Sequence, residues 1–591
     1  MTPILGIDVG TLSLRAALFQ PLADGGMERV GDISQQPLAL ERHRQDDDSV
    51  WIEQQPDAML AALRQVVAAS LAQLPATADG SLTVRAAIAT QRSTVIAWQR
   101  STGKAIGAAI SWQDTRGAAL VRALDAHKSD IQQQSGLVVS PHYGASKLLW
   151  LLEQPACRAL PPSDLCCGPL ISYLLFHLLE GQPHCCDHIN AARTQLLGID
   201  SLAWSPSLAG YFTEADASPI DVDAAINERG SSKLTAAGLL EKLPELRPVI
   251  HAYGQLDRSW LPANFSGKVD LVAATGDQNS AFYACLKKQQ QTSHENADTE
   301  GHGSIPHAAS VLNNTALINA GTGAFLLAPV DLGRSRVPQA LAQTSLLRGL
   351  VYSRANARLD LLEGTVNGAG AALNWFFPAW QEVMSNTASK KQFYQCVAEQ
   401  AGDETLDWVF INTIGGLGSP FWRAGPELGF LHLSSGRTYS LARALAEPNV
   451  DANSLAAAVF ESIVFLLVCN LDAMQSARTA ARLAPLAQVV CSGGISRNAK
   501  FAPLLSALSG LPIMLSDDEE LTLAGAALLA AADLDAPLPE NDASSAKSEQ
   551  SIAVQPTDDV SDLGEPLTEA ATRALGARYA SFRRKIDNEI N

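Results

Sequence analysis

The chain has 591 residues, 47% of them hydrophobic and 18% charged, a composition that excludes a disordered or fibrous protein. Its 43 basic and 61 acidic residues leave a net charge of −18, which opposes nucleic acid or anionic lipid as a main partner. A nucleotide stays admissible, because backbone N–H groups and one or two cations can hold it locally.

The odd count of nine cysteines argues against a disulfide framework and for free thiols. Met1 to Gly10 lacks the basic residues of a signal peptide, and apolar stretches such as Leu170 to Leu179 are too short to span a bilayer. A cytoplasmic protein is expected.

The first predicted element is a β-hairpin: an apolar strand from Ile4, a turn at Gly10-Thr11, and an alternating strand to Phe19. A helix is expected over Asp57 to Leu74 and a strand over Val84 to Ala89. Leu261 to Lys268 reads as a junction, followed by a strand over Val269 to Ala274. Lys287 to His307 is polar, Gln-rich and without periodicity, and reads as loop or disorder. Thr315 to Ala328 then repeats the opening pattern of apolar strand, Gly-Thr turn and apolar strand, which suggests two related halves. Helices are expected at Ala369 to Phe377, Leu455 to Ala481 and Leu521 to Ala532, with a strand at Ala487 to Cys491. Ala536 to Glu565, rich in Pro, Ser and acidic residues, reads as loop or disorder, and Leu567 to Ile586 as a terminal helix. Strands alternating with helices predict an α/β fold.

The two Gly-Thr turns are the first candidates for chemistry. Glycine lets backbone approach a phosphate closely, and neighbouring hydroxyls add donors; equally, glycine and threonine are ordinary hairpin residues. Asp8, ending the first strand, could hold Mg²⁺ beside nucleotide phosphates or stabilise its turn. Asp277, following Val269 to Ala274, is the candidate base for a substrate hydroxyl. Gly493-Gly494 with Asn498 follows a strand, opens a probable helix, and could lie against an adenosine or reflect plain packing. No Walker loop or G-x-G-x-x-G motif is present. The run His184 to His188 with Cys166-Cys167 superficially suggests zinc, but adjacent cysteines lack the C-x₂-C spacing that lets both grip one ion.

Taken together, these residues resemble the FGGY family of carbohydrate kinases, most closely its glycerol kinase branch, from Ile4 to about Ala532. The motifs follow in order: Asp8 to Arg15 (DVGTLSLR), Gln91 to Thr94 (QRST), Ser111 to Arg116 (SWQDTR), Lys147 to Trp150 (KLLW) and Asp187 to Thr194 (DHINAART). Gly276 to Gln278, Gly321 to Gly323, Leu362 to Gly364 with Ala369 to Ala371, Glu461-Ser462, and Gly493-Gly494 with Asn498 complete the series. The resemblance implies two actin-like, ribonuclease-H-like domains with ATP and Mg²⁺ in the cleft between them. It places an N-terminal domain over 1–262 and a C-terminal domain over 263–535 with a polar insertion at 287–307. A loop or disordered segment, 536–565, and a terminal helix, 566–591, follow.

By the same resemblance Thr11, Leu12, Ser13 and Arg15 line the phosphates, and Thr322, Gly370, Asn374, Gly494 and Asn498 take the remaining nucleotide positions. Asp277 is the catalytic base and Asp8 the metal residue. Arg92, Ser93, His142, Asp277 and Gln278 fall at substrate positions, with Trp112 and Phe325 as apolar walls. The implied reaction is transfer of the ATP γ-phosphate to a hydroxyl of a small polyol or sugar. Glycerol kinase proper and a non-catalytic actin-like switch are the alternatives, and a homo-oligomer stays open.

Two departures bear on the substrate. Where glycerol kinases read Gln-Arg-Glu, this chain has Gln91-Arg92-Ser93, and where they read Ser-Pro-Tyr it has Ser140-Pro141-His142. A pocket that exchanges a charged acceptor for a short hydroxyl should bind its hydroxyls differently and admit a longer polyol or a sugar.

Overall fold

A computed structural model describes residues 2–22, 26–45, 50–74, 82–215, 234–299, 314–332, 337–423, 425–448, 450–516, 520–532 and 565–590, with 289–299 and 589–590 described by backbone only. Two six-stranded sheets form the frame. In spatial order the first runs Ile250–Gln255, Lys268–Gly276, Thr83–Thr90, Ile4–Val9, Ser13–Pro21, Met27–Pro37. The second runs Leu347–Arg354, Ala357–Val366, Ala324–Val330, Thr315–Ala320, Gln488–Ser492, Ile513–Leu515.

The duplication expected from the two Gly-Thr hairpins is present in the pairing. Ile4–Val9 runs antiparallel to its hairpin partner and parallel to Thr83–Thr90, which is parallel to Lys268–Gly276. Thr315–Ala320 runs antiparallel to Ala324–Val330 and parallel to Gln488–Ser492, which is parallel to Ile513–Leu515. Parallel neighbours need long crossovers, and strands buried on both faces read as continuous apolar runs, which is why Ile4 to Val9 is buried throughout.

The last parallel strand of each sheet leads into a helix, Asp277–Thr299 in one case and Leu521–Ala531 in the other. These helices pack against each other between the sheets. Their approach is so close that a Cβ on Gly525 would stand 1.8 Å from the carbonyl oxygen of Ser280, so only glycine fits there. Ser280 Oγ donates to the Thr522 carbonyl at 2.7 Å in the same crossing.

The division of the chain differs from a cut at 262. Lys268–Gly276 is a strand of the first sheet, and Leu523, Ala526, Ala527, Leu529 and Ala530 pack into the first core. The chain therefore passes from the first sheet to the second after Lys268–Gly276, returns to the first core at Leu521–Ala531, and enters the second core again in its terminal helix. Residues 287–299, expected as loop, continue the helix from Asp277 to Thr299. Gln, Lys, Glu and Ala are good helix formers, and the lack of an apolar stripe, which suggested a loop, does not forbid a helix. Residues 300–307 of that segment, and 536–564 of the later one, lie outside the described residues. The glycine pair at 493–494 opens turns rather than a helix, which starts at Phe501.

A five-stranded sheet, in the order Glu41–Arg44, Val50–Gln54, Ala109–Ile110, Val95–Gln99, Leu165–Pro169, extends the first lobe, with the helix Gly144–Glu153 packed on it. In the second lobe Ala452–Ala480 is buried at every position from Leu455 to Leu471, the signature of a core helix. Among the described residues it is the one helix long and apolar enough to cross a membrane, and 94% of its most apolar window is buried inside the protein. The terminal helix, Glu569–Ile590, seats Leu575, Phe582 and Ile586 in the same core.

Candidate active site

Three parallel strands of the first sheet end level with one another: Val9 and Gly276 are both in register with Thr90. Their carboxyl ends deliver Gly10-Thr11, Gln91-Arg92 and Asp277 to one place, where ligands of open parallel sheets bind. The second sheet repeats the arrangement, since Asn319 is in register with Ser492, so Gly321-Thr322 and Gly493-Gly494 emerge together.

At the first hairpin, Asp8 is 3% exposed and accepts from Arg15 Nη2 at 2.6 Å. Burial drives the Asp8 pKa up to about 6 against the opposing pull of Arg15, with Asp277 and Glu520 adding to the rise. The other arm of Arg15 donates to Glu520 at 2.5 Å, so this guanidinium, expected on the phosphates, is shared between two carboxylates. The turn itself is held by Gly10 N–H donating to the Ser13 carbonyl. Thr11 Oγ1 accepts from the Trp112 indole at 3.0 Å, its carbonyl accepts from Gln54, and Leu12 projects 66% exposed at the tip.

Arg92 lies at the centre of a buried charge cluster. Its Nη1 and Nη2 donate to Glu363 at 2.9 and 3.3 Å, Nη1 also reaches Asn279, and Nε stands 3.8 Å from Asp277. Arg193 donates to Glu363 from the other side and to the Tyr143 phenol. Burial works to raise Glu363, but Arg193 and Arg92 outweigh it and hold the carboxyl below the usual range. Asp277 differs: burial raises its pKa despite Arg92. A quarter of its side chain, 24%, stays open to solvent. Gly276 makes this geometry possible, since a Cβ there would meet Arg92 Cδ at 2.6 Å.

The expected acceptor residues surround this cluster. Ser93 is 9% exposed with φ of 66°, the left-handed region unusual outside glycine. His142 Nδ1 contacts the Trp112 carbonyl at 3.2 Å. Gln278 Oε1 accepts from Asn319 of the second lobe at 3.4 Å, two residues before the second Gly-Thr turn. Phe325 is half-buried in the outgoing strand of that hairpin, opposite Asn319.

In the second lobe the expected nucleotide residues converge. Gly370 N–H donates to the Gly321 carbonyl at 3.0 Å, and Ala371 N–H to that of Thr322 at 2.9 Å. Gly370 starts the helix Gly370–Met384, which carries Asn374, exposed and bonded to Lys390. Ile495 N–H donates to Ala320, tying the glycine pair to the second turn, and space is open beside Gly494. Asn498 donates to the Tyr394 carbonyl and caps the following turn through Lys500 N–H.

Sequence reasoning missed Glu520, Asn279 and Tyr143 as members of this site, and it quoted Glu363 and Arg193 only as motif letters. Asn279, Tyr143 and Glu363 lie close to Gly276, Gly144 and Gly364, whereas Glu520 and Arg193 have no such neighbour, and nothing in the spacing says that two arginines of one lobe share a carboxylate of the other. Of the run first read against zinc, Asp187 caps the helix His188–Ala192 through the N–H groups of Ile189 and Asn190. His184 stacks edge-on against Trp98 and bonds the Cys167 carbonyl.

Comparison with known proteins accords with this geometry. Residues 3–217 match the N-terminal domain, and 316–534 the C-terminal domain, of the FGGY family of carbohydrate kinases. The chain is 28% identical over 539 residues to a glycerol kinase of Cereibacter sphaeroides, covering 90% of each. It is 26% identical over 522 residues to one of Rippkaea orientalis, covering 86% of this chain and 85% of that one. In fold it is similar to Plasmodium falciparum glycerol kinase with ADP, at a TM-score of 0.66, 22% identity, and coverage of 90% and 89%. It is similar also to xylulose kinase from Rhodospirillum rubrum, at 0.66, 16% identity, and coverage of 99% and 98%. Two actin-like lobes, a glycine-threonine turn on each, and family matches over more than two thirds of the sequence lead to one assignment: the chain belongs to the FGGY family of carbohydrate kinases, phosphotransferases that act on an alcohol group.

Proposed function

We propose that this enzyme transfers the γ-phosphoryl group of ATP to a hydroxyl of a small polyol or sugar, with Asp277 as the base. The observation that carries the assignment is the placement of Asp277: it begins a helix at the carboxyl end of three parallel strands, 3.8 Å from Arg92 and partly open to solvent. A carboxylate of raised pKa next to a fixed guanidinium suits acceptance of a hydroxyl proton while the phosphoryl group departs from ADP. Arg92, locked by Glu363, would orient the acceptor, with Ser93, Gln278 and His142 as its hydroxyl partners and Trp112 and Phe325 as walls. Thr11, Leu12, Ser13 and Thr322 would face the phosphates, and Gly370, Asn374, Gly494 and Asn498 the adenosine.

Asp8 and Asp277 act on each other electrostatically, and such an oxygen-donor pair fits a hard dication that keeps waters and phosphate oxygens as its other ligands. A magnesium ion there would neutralise charge on the phosphates. Arg15, held by Asp8 and Glu520, would then swing toward the nucleotide or stay to steady Asp8.

Ser93 and His142 in place of the carboxylate and tyrosine of glycerol kinases support an acceptor larger than glycerol. The test is ADP release across a panel of glycerol, tetritols, pentitols and ketoses. Acceptor-dependent turnover with a preference for a longer chain is expected; no turnover with any compound would overturn the assignment, and a strong preference for glycerol would overturn the specificity.

A further inference from the structure

The helix Gly144–Glu153 buries a lysine that the catalytic reading does not use. Lys147 is 0% exposed, and its ammonium donates to three backbone carbonyls: Ser93 at 2.8 Å, Ser111 at 3.0 Å and His142 at 2.8 Å. A lysine has three N–H donors and no acceptor, so these bonds use its whole capacity. The three carbonyls belong to three separate loops. One carries Arg92-Ser93, one leads directly into Trp112, and one carries His142 itself.

Burying a charge is costly unless it is fully hydrogen-bonded, so an ammonium in this position selects backbone geometry strongly. Asp114, which acts on Lys147 through space, gives its own oxygens to Arg116 and to the Ile52 N–H. The carbonyl bonds are therefore its direct anchorage here. Ser93, with φ of 66°, is held in the left-handed region that a non-glycine residue adopts only at a cost. The bond from Lys147 to its carbonyl offsets that cost.

We infer that Lys147 is the positioning residue of the acceptor site: by gathering three carbonyls it sets the relative placement of Arg92-Ser93, Trp112 and His142, and with it which hydroxyl compound fits. The inference rests on the acceptor reading of those loops. It acts on the acceptor loops through backbone, and the Trp112 indole that donates to Thr11 Oγ1 at 3.0 Å is the link from those loops to the phosphate turn.

The test uses the full chain with Lys147→Met and Lys147→Gln, and Lys242→Met as a control lysine in the same lobe. Amide hydrogen exchange on the unliganded protein should show faster exchange in all three segments, 91–95, 111–113 and 141–144, in the Met variant. The Gln variant, which retains two donors, should be intermediate, and the control unchanged. ADP affinity should stay within about twofold. With the best acceptor of the panel, KM should rise at least tenfold in the Met variant while KM for ATP stays within about twofold. Loosening of one segment alone, an equal change in both KM values, or loss of fold in both variants would overturn the inference, the last by making Lys147 a determinant of whole-lobe stability. The exchange experiment decides even if no panel compound is turned over, so failure of the acceptor reading and failure of the inference are separable.

Discussion

Arg92 of the first lobe and Glu363 of the second meet as a two-point ion pair, Nη1 to Oε2 at 2.9 Å and Nη2 to Oε1 at 3.3 Å, with Glu363 only 2% exposed. The pair joins a strand end of one sheet to the interior of a strand in the other. It fixes the guanidinium that faces Asp277. Truncating one member of such a buried set leaves charges without partners, which typically costs about 3–5 kcal/mol. Glu363→Gln should therefore lower the unfolding midpoint and reduce kcat/KM for the acceptor at least thirtyfold, with KM for ATP nearly unchanged. Thermal unfolding and two-substrate kinetics check this; intact acceptor kinetics would show that Arg92 needs no anchor.

Asp277→Asn keeps the shape of the side chain and its bond from the Gln278 N–H but removes the proposed base. General-base contributions run to about 10²–10⁴ in rate, so kcat should fall by that order while ADP affinity, measured by calorimetry, stays within about twofold. A variant with full turnover would remove Asp277 from the chemistry.

Gly276 tests the same geometry from the backbone. Its conformation is open to alanine, but the new methyl would lie 2.6 Å from Arg92 Cδ. Arg92 is pinned at its far end by Glu363, so it cannot move aside without breaking the pair. Gly276→Ala should raise KM for the acceptor about tenfold and lower the unfolding midpoint, as Glu363→Gln does; unchanged kinetics would show the guanidinium free to shift.

Much of this was legible in the sequence, for physical reasons. Ile4 to Val9 and Thr315 to Ala320 are apolar runs ended by Gly-Thr, and a strand buried on both faces in a duplicated fold has to look like that. Gly276-Asp277 and Gly321-Thr322 likewise sit at strand ends, where backbone must turn. The ion pairs were not legible, because Arg92 and Glu363 are 271 residues apart and their meeting depends on how two lobes dock. The helical course of 287–299 is not legible because a helix that lacks an apolar stripe leaves no periodic signal, and the membership of Lys268–Gly276 in the first sheet is not legible because its pairing with Ile250–Gln255 and with Thr83–Thr90 is set by tertiary packing.

Asp8 gives a prediction in which activity and stability oppose each other. Its pKa, raised by burial from 3.8 to about 6, means the folded protein holds a proton in that window that the unfolded chain releases. The stabilisation from this group is complete below pH 3.8 and is lost as pH rises through about 6, so above that the ionised Asp8 is a net burden. Asp8→Asn should abolish most turnover yet gain Tm relative to wild type, the difference growing from pH 4 to pH 6 and levelling beyond. A difference that is flat with pH, or of opposite sign, would contradict the placement of this carboxyl. A site that is destabilised in its active form is the common compromise between function and stability.

The terminal helix is tied to the second lobe by chemistry that truncation should expose. Arg578, 1% exposed, donates through Nε and Nη2 to the two oxygens of Glu461 at 2.7 and 2.8 Å, and Glu461 is itself 1% exposed. Glu461 Oε1 also accepts from Gly402 N–H at 2.8 Å, so the carboxylate cannot turn toward water when its arginine is gone. It lies in Ala452–Ala480, the core helix of that lobe. Arg578→Ala should therefore destabilise by about 3–5 kcal/mol, more than the lost packing of one side chain would suggest. The double variant Arg578→Met, Glu461→Gln replaces the pair by neutral groups of similar volume, keeps an acceptor for Gly402, and should recover most of the loss. Urea unfolding of the three proteins measures both effects. A double variant as unstable as Arg578→Ala would mean that the arginine acts by packing rather than by compensating a buried charge.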